Sequence, residues 1–212
     1  MDFEIIKPAD IEKRSFAIIT EELGDRVFPE EIGLVVKRVI HTSADFDYAD
    51  NLVFSEGAVP RALEAIRNGA HIVTDTNMVK AGINKKTLAK FGGEVHCFVA
   101  DADVAKEAKQ RGVTRSTVSM ERAAKLDVPV IFAIGNAPTA LIELDRLMRE
   151  QDLKPELIIG VPVGFVNVVE SKELILQSQA PHIVARGRKG GSNVAAAIVN
   201  ALLYQLVHRE GF

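Results

Sequence analysis

The chain has 212 residues, 47% hydrophobic and 26% charged, within the range of ordinary globular proteins, and its length fits one domain over 1–212. A formal charge of −3, 6% aromatic residues and no Trp argue against a nucleic-acid partner, which needs a basic footprint and stacking platforms. The lone Cys97 reads as a small buried residue. The N-terminal stretch lacks the basic and apolar regions of a signal peptide, and no uninterrupted apolar run reaches the roughly 18 residues of a membrane span, so a cytoplasmic address without membrane contact is expected.

Along the chain, residues 8–23 read as a first helix carrying the cation and hydroxyl of Arg14 and Ser15. A second helix is expected over 29–40, because Ile32, Val35, Val36 and Val39 follow the i, i+3, i+4, i+7 spacing of one buried stripe and Pro29 suits the first turn. His41 then falls at the helix end, where the partial negative charge of the C-terminus favours imidazolium by roughly 0.3–1 kcal/mol. Thr42, Ser43, Asp45, Asp47 and Asp50 follow. Local context leaves two readings of His41 open: a proton donor, or a cap that titrates in solvent. The carboxylates lack the glycine and terminal Glu of a calcium loop and read as groups that orient His41 or cap the next segment.

Beyond residue 50, short β-branched runs at 71–74, 94–99, 130–134, 157–161 and 182–185 read as strands separated by helical stretches. Near-continuous apolar strands with helical crossovers predict a three-layer, doubly wound α/β domain with a mostly parallel sheet. The first fifty residues hold no convincing strand and supply the extra N-terminal helices. Residues 141–148 are the clearest crossover helix, and 194–207 is apolar nearly all round, hence buried in the core or at a subunit contact.

Ligands of open α/β sheets collect at the carboxyl ends of the strands. The loops there contain Asn77 and Met78, Gly135 and Asn136, Gly164, and finally Arg186, Arg188, Lys189 and Gly190. Each is a small-residue loop leading into a helix and can turn N–H groups toward an anion. Together they suggest a polyanionic ligand. The segment 186–192 is the strongest candidate, and Arg115 with Ser116 adds a further cation and hydroxyl. Neither a Walker phosphate loop nor Gly-x-Gly-x-x-Gly is present. His71, His96, His182 and His208 have no second His or Cys at zinc-ligand spacing, so no metal site is expected, and the first three read as core histidines. No Gly-x-Ser-x-Gly nucleophile elbow occurs.

In this order, the segments 11–16, 40–48, 74–83, 133–141, 160–170 and 186–202 resemble those of the precorrin-8X methylmutase family, corrin-ring isomerases of cobalamin (vitamin B12) biosynthesis. The resemblance covers essentially the whole chain. It implies a flavodoxin-like sheet, a homodimer, and an intramolecular methyl migration from C11 to C12 of precorrin-8X or cobalt-precorrin-8, giving hydrogenobyrinic or cobyrinic acid. The family's His-Thr-Thr/Ser-Ala-Asp motif matches His41, Thr42, Ser43, Ala44 and Asp45, which implies that His41 protonates the macrocycle near ring C. A sigmatropic shift of this kind needs no cofactor. The acetate and propionate arms of the substrate would meet Arg14, Ser15, Arg115, Ser116, Arg186, Arg188 and Lys189 and the N–H groups of Gly135, Gly164 and Gly190. The sequence leaves open whether the natural substrate carries cobalt, and whether the chain turns a corrinoid over or only carries it.

Overall fold

Amphipathic segments of the N-terminal third form helices before the sheet begins. The computed structural model describes residues 6–207, so His208 lies outside the described residues. A 3₁₀ turn at Pro8–Asp10 leads into α1 (Ile11–Leu23), followed by α2 (Glu30–Ser43), α3 (Tyr48–Asn51), β1 (Leu52–Phe54), α4 (Ala58–Arg67) and β2 (His71–Thr74). Then come α5 (Asn77–Gly82), α6 (Lys85–Ala89), β3 (Val95–His96), α7 (Ala102–Arg111), α8 (Arg115–Ala123) and β4 (Val130–Ile134). The chain continues through α9 (Pro138–Gln151), β5 (Leu157–Gly160), α10 (Val168–Leu176), β6 (His182–Ala185) and α11 (Ser192–Leu206).

Among the described residues, six strands form one sheet in the order β1-β6-β5-β4-β2-β3. Every neighbouring pair is parallel except β1 with β6, where Leu52 faces Ala185. Leaving β1 aside, this is the flavodoxin-like order 2-1-3-4-5, with its switch point between β2 and β4. Strand side chains alternate between two cores. Ile72, Ile131 and Ile159 pack with residues of α2, α4, α5 and α11, whereas Val73, Phe132 and Ile158 pack with residues of α8, α9 and α10. The expected three-layer architecture is therefore the observed one.

α11 explains why its sequence is apolar all round. It is pressed against the sheet with α2, α4 and α5 around it, so Val194, Ile198, Val199, Leu202 and Leu203 are all buried. Truncating one such side chain, as in Ile198→Ala, costs about 2–5 kcal/mol. A Cβ on Gly82 of α5 would meet the Ala196 Cβ at 2.8 Å, which shows how closely these helices cross.

Three local expectations change. β1 was not anticipated: a three-residue antiparallel edge strand carries too little alternation to register as a period. The expected strand 94–99 shortens to Val95–His96, which among the described residues has only β2 as a neighbour. α2 runs on to Ser43 and stops where Ala44 adopts a left-handed backbone (φ 53°) and donates its N–H to Ile40 O at 2.7 Å. Among the described residues, no helix is long and apolar enough to cross a membrane.

Candidate active site

At the switch point a side chain of the protein itself takes up the loop N–H groups. Asp75, following β2, is 1% exposed and accepts N–H groups from Gly135 (3.0 Å), Asn136 (2.8 Å) and Ala137 (2.6 Å). Burial pushes its carboxyl above the ordinary carboxylate range, while the three N–H donors pull the other way. The expectation that Gly135 and its neighbour present free N–H groups to a substrate is corrected: these donors are committed to Asp75. The absence of a side chain at Gly135 instead admits the start of α11, since a Cβ there would lie 2.8 Å from Ser192 Cα.

The cationic loop after β6 is similarly tied down. Lys172, buried in α10, donates to the carbonyls of Gly187 (2.7 Å) and Lys189 (2.8 Å), and burial pushes its ammonium down to about 8. A Cβ at Gly190 would lie 2.1 Å from Val161 O, so this glycine lets the loop pass directly over the end of β5. The Gly164 N–H, also expected to receive a substrate arm, donates to Arg188 O at 3.3 Å. Arg186 pairs with Glu173 at 3.4 Å, and the Arg188 guanidinium lies 5.6 Å from the centre of the Phe165 ring. Lys189 reaches Asp45 and Asp47, each at 2.6 Å.

That double ion pair joins the loop to the His41 segment. It also corrects the reading of the acidic cluster: Asp45 and Asp47 bind Lys189, which holds the Asp45 carboxyl below its usual range. Asp50 pairs with Arg26 at 2.9 Å. The Ser43 hydroxyl donates to Val39 O at 2.8 Å, and Asp45 Oδ1 accepts from the Asp47 N–H at 3.0 Å, so the turn after α2 is internally braced.

His41 sits in the last turn of α2 with an exposed ring that stacks on Phe16 of α1, centroids 5.3 Å apart and planes 23° apart. Arg38, one turn earlier, is 8% exposed, lies over the same Phe16 ring at 4.7 Å and pairs with Glu12. The net direction of the His41 pKa is downward. Partial burial and the Arg38 charge lower it, and Glu12 only partly restores it. The helix-end argument for a ready imidazolium is thus outweighed in the free protein, where the neutral ring is favoured at neutral pH.

The other candidates fall into two groups. Thr42, Asn77 and Met78 are exposed, and Thr76 caps α5 while its hydroxyl meets Ser192 Oγ at 3.1 Å, which places Asn77 and Met78 beside the start of α11. Arg115 is exposed at the start of α8; Ser116 behind it is 8% exposed. Thr114 donates to Thr139 Oγ1 at 3.0 Å, bringing this helix start to the first turn of α9, which follows β4. Arg14 is exposed on α1, while the Ser15 hydroxyl is spent on Ile11 O at 2.9 Å.

Sequence reasoning missed Arg38, Lys172 and the inward turn of Asp75. It also passed over Phe165 and Val166, which are 82% and 79% exposed beside the cationic loop. An exposed Phe-Val pair in a glycine loop was the available signal for an apolar ligand face. A cavity of about 940 Å³ lined by Asp145, Arg149, Leu174 and Pro181 contains none of the candidate residues.

The model of the precorrin-8X methylmutase family matches residues 10–205. The cobalt-precorrin-8 methylmutase of Priestia megaterium is 47% identical over 197 residues, covering 93% of this chain and 88% of that one. That of Salmonella typhimurium is 46% identical, covering 95% and 97%. The solved precorrin-8X methylmutase of Thermus thermophilus superposes with a TM-score of 0.86 at 38% identity, covering 94% and 98%.

Proposed function

The chain belongs to the precorrin-8X methylmutase family, isomerases acting on a tetrapyrrole in cobalamin biosynthesis, and from this premise we propose that it moves a methyl group from C11 to C12 of precorrin-8X or its cobalt form, with His41 as the general acid. The observation that supports this most is the setting of His41. Its ring is held on Phe16 in the last turn of α2, and the following turn is anchored to the cationic loop through Asp45, Asp47 and Lys189.

Methyl migration within one conjugated ring is a rearrangement without a leaving group. The protein contributes by holding the ring in a reactive geometry and by placing a proton on it. His41 gives that proton, the methyl group shifts, and the product returns a proton to His41 or solvent, so atoms and charge balance. In the free protein, burial and the Arg38 charge disfavour the imidazolium that gives this proton. An incoming polycarboxylate stabilises imidazolium, so binding itself charges the acid.

Arg14, Arg115, Arg186 and Arg188 are the proposed carboxylate receivers, together with the Ser116 hydroxyl; the Ser15 hydroxyl, already donated to Ile11 O, is not among them. Lys189 shares its charge with Asp45 and Asp47. Thr42, Ser43, Asn77, Met78 and Gly190 border the substrate, and Phe165, Val166 and Met78 offer apolar surface to the macrocycle face. One domain over 1–212, a homodimer and a cytoplasmic setting belong to the same reading. The test is to mix the purified protein with metal-free and cobalt-containing precorrin-8 and follow the visible spectrum. A change in ring conjugation is expected, and no change with either substrate refutes the proposal.

A further inference from the structure

We propose that His71, Glu94 and His96 form a site for a divalent transition cation of the zinc class, on the edge strand of the sheet. The histidines are 25 residues apart, and β2–β3 pairing brings them together. The register sets Ile72 opposite Val95 and Val73 opposite His96. His71 therefore stands beside Glu94, and the period of two along each strand puts His71, Glu94 and His96 on one face of the sheet. Cys97, next to His96 in sequence, is not a member of this cluster.

The donor atoms of the three side chains all lie within 4.8 Å of one another. His71 Nδ1 and His96 Nε2 are 2.7 Å apart, with ring centroids 5.0 Å apart and planes 14° apart, so the rings meet edge to edge with their nitrogens between them. That contact needs a proton on one ring and a lone pair on the other. A cation can take the proton's place. Tetrahedral zinc, with Zn–N bonds of ~2.0–2.1 Å, spaces two ligand nitrogens ~3.3 Å apart, so the rings must part by ~0.6 Å and turn slightly. Both are half-buried, which leaves room for that movement, and exposed Glu94 supplies a carboxylate from the solvent side.

Two imidazoles and a carboxylate are a donor set for zinc, nickel, cobalt or copper rather than for magnesium or calcium. His71 opens β2, whereas the proposed catalytic loops follow the ends of the strands. A cation here would clamp the two-residue β3 to β2 and take no part in the methyl shift.

The experiment uses the full chain, stripped with EDTA and titrated with zinc chloride by calorimetry. One equivalent per chain is expected, with a gain in thermal stability and unchanged methylmutase turnover. His71→Gln and His96→Gln should each weaken binding by at least the ~10–100-fold that outer-shell changes cost in metal sites, while Cys97→Ser leaves it unchanged. Circular dichroism and retained turnover report that the variants fold. Cobalt(II) added to the unmodified protein gives a check free of substitution: it should broaden the imidazole proton signals of His71 and His96 before any other histidine. No saturable zinc binding, equal affinity in both histidine variants, or broadening first at another histidine overturns the proposal.

Discussion

The Lys189 ammonium lies 2.6 Å from a carboxylate oxygen of Asp45, closing a contact between residues 144 positions apart. It joins the turn after His41 to the loop after β6. Both partners are partly exposed, and such pairs contribute about 0–1 kcal/mol to stability. Its value to the protein is geometric. Lys189→Ala should leave the melting temperature nearly unchanged while lowering kcat/KM about fivefold to tenfold, roughly 1 kcal/mol, chiefly through KM. Steady-state kinetics beside thermal unfolding measure this, and a large stability loss with unaltered KM contradicts it.

Arg38 and His41 give a pH prediction whose sign follows from charge. Burial and Arg38 both depress the His41 pKa, so it lies below the ordinary imidazole value of ~6.5. If the imidazolium is the acid, kcat/KM falls as pH rises through that depressed value, because this ratio reports the free enzyme. Arg38→Met removes a neighbouring positive charge and should move both the His41 titration, read by NMR, and the kinetic profile to higher pH. Arg38→Lys should move them little. A shift to lower pH in Arg38→Met would contradict this account.

Asp75 is a structural hydrogen-bond acceptor. Asp75→Ala leaves three N–H groups of the β4 loop without their acceptor, in a site only 1% exposed. A buried orphaned donor costs about 1–3 kcal/mol, so urea unfolding should show a loss of at least that size. If the loop N–H groups were instead substrate receivers, Asp75→Ala would tighten binding of a polycarboxylate, and equilibrium titration with the product corrinoid distinguishes the two.

Lys172 carries a linkage prediction. Its ammonium is pushed down to about 8 by burial, whereas an unfolded lysine titrates near ~10.4. Between those values the unfolded chain holds a proton that the folded chain has released, so this group makes folding stability rise with pH across that window. The neutral amine still donates to Gly187 O and Lys189 O. Subtracting the denaturant-unfolding profile of Lys172→Met from that of the parent chain should isolate a positive slope between about pH 8 and 10; a flat difference removes the assigned shift.

How much of this was legible in sequence depended on the range of the interaction. The strands at His71–Thr74, Val130–Ile134 and His182–Ala185 were readable because each is a local apolar run, and the stripe of Val35, Val36 and Val39 located α2 and hence His41. Position 75 was visible as a loop residue, but nothing local says whether its carboxylate turns outward to solvent or inward to Gly135, 60 residues on. Lys172 sits in an otherwise unremarked helix, and its burial exists only once β6 and its loop are laid over it. His71 and His96 are 25 residues apart along the chain, outside any local ligand spacing, and their proximity is set by strand pairing.

The central claim is that His41 donates the proton that drives methyl migration, and single-turnover kinetics of His41→Ala test it most directly. The side chain is exposed and stacks on Phe16 on the surface side of α1 and α2, so the variant should fold and bind the corrinoid within about tenfold, roughly 1.4 kcal/mol, of the parent chain. Its rate of migration should fall ~10²–10⁴-fold, the range of general acid catalysis. Migration at the parent rate with binding intact would contradict the assignment.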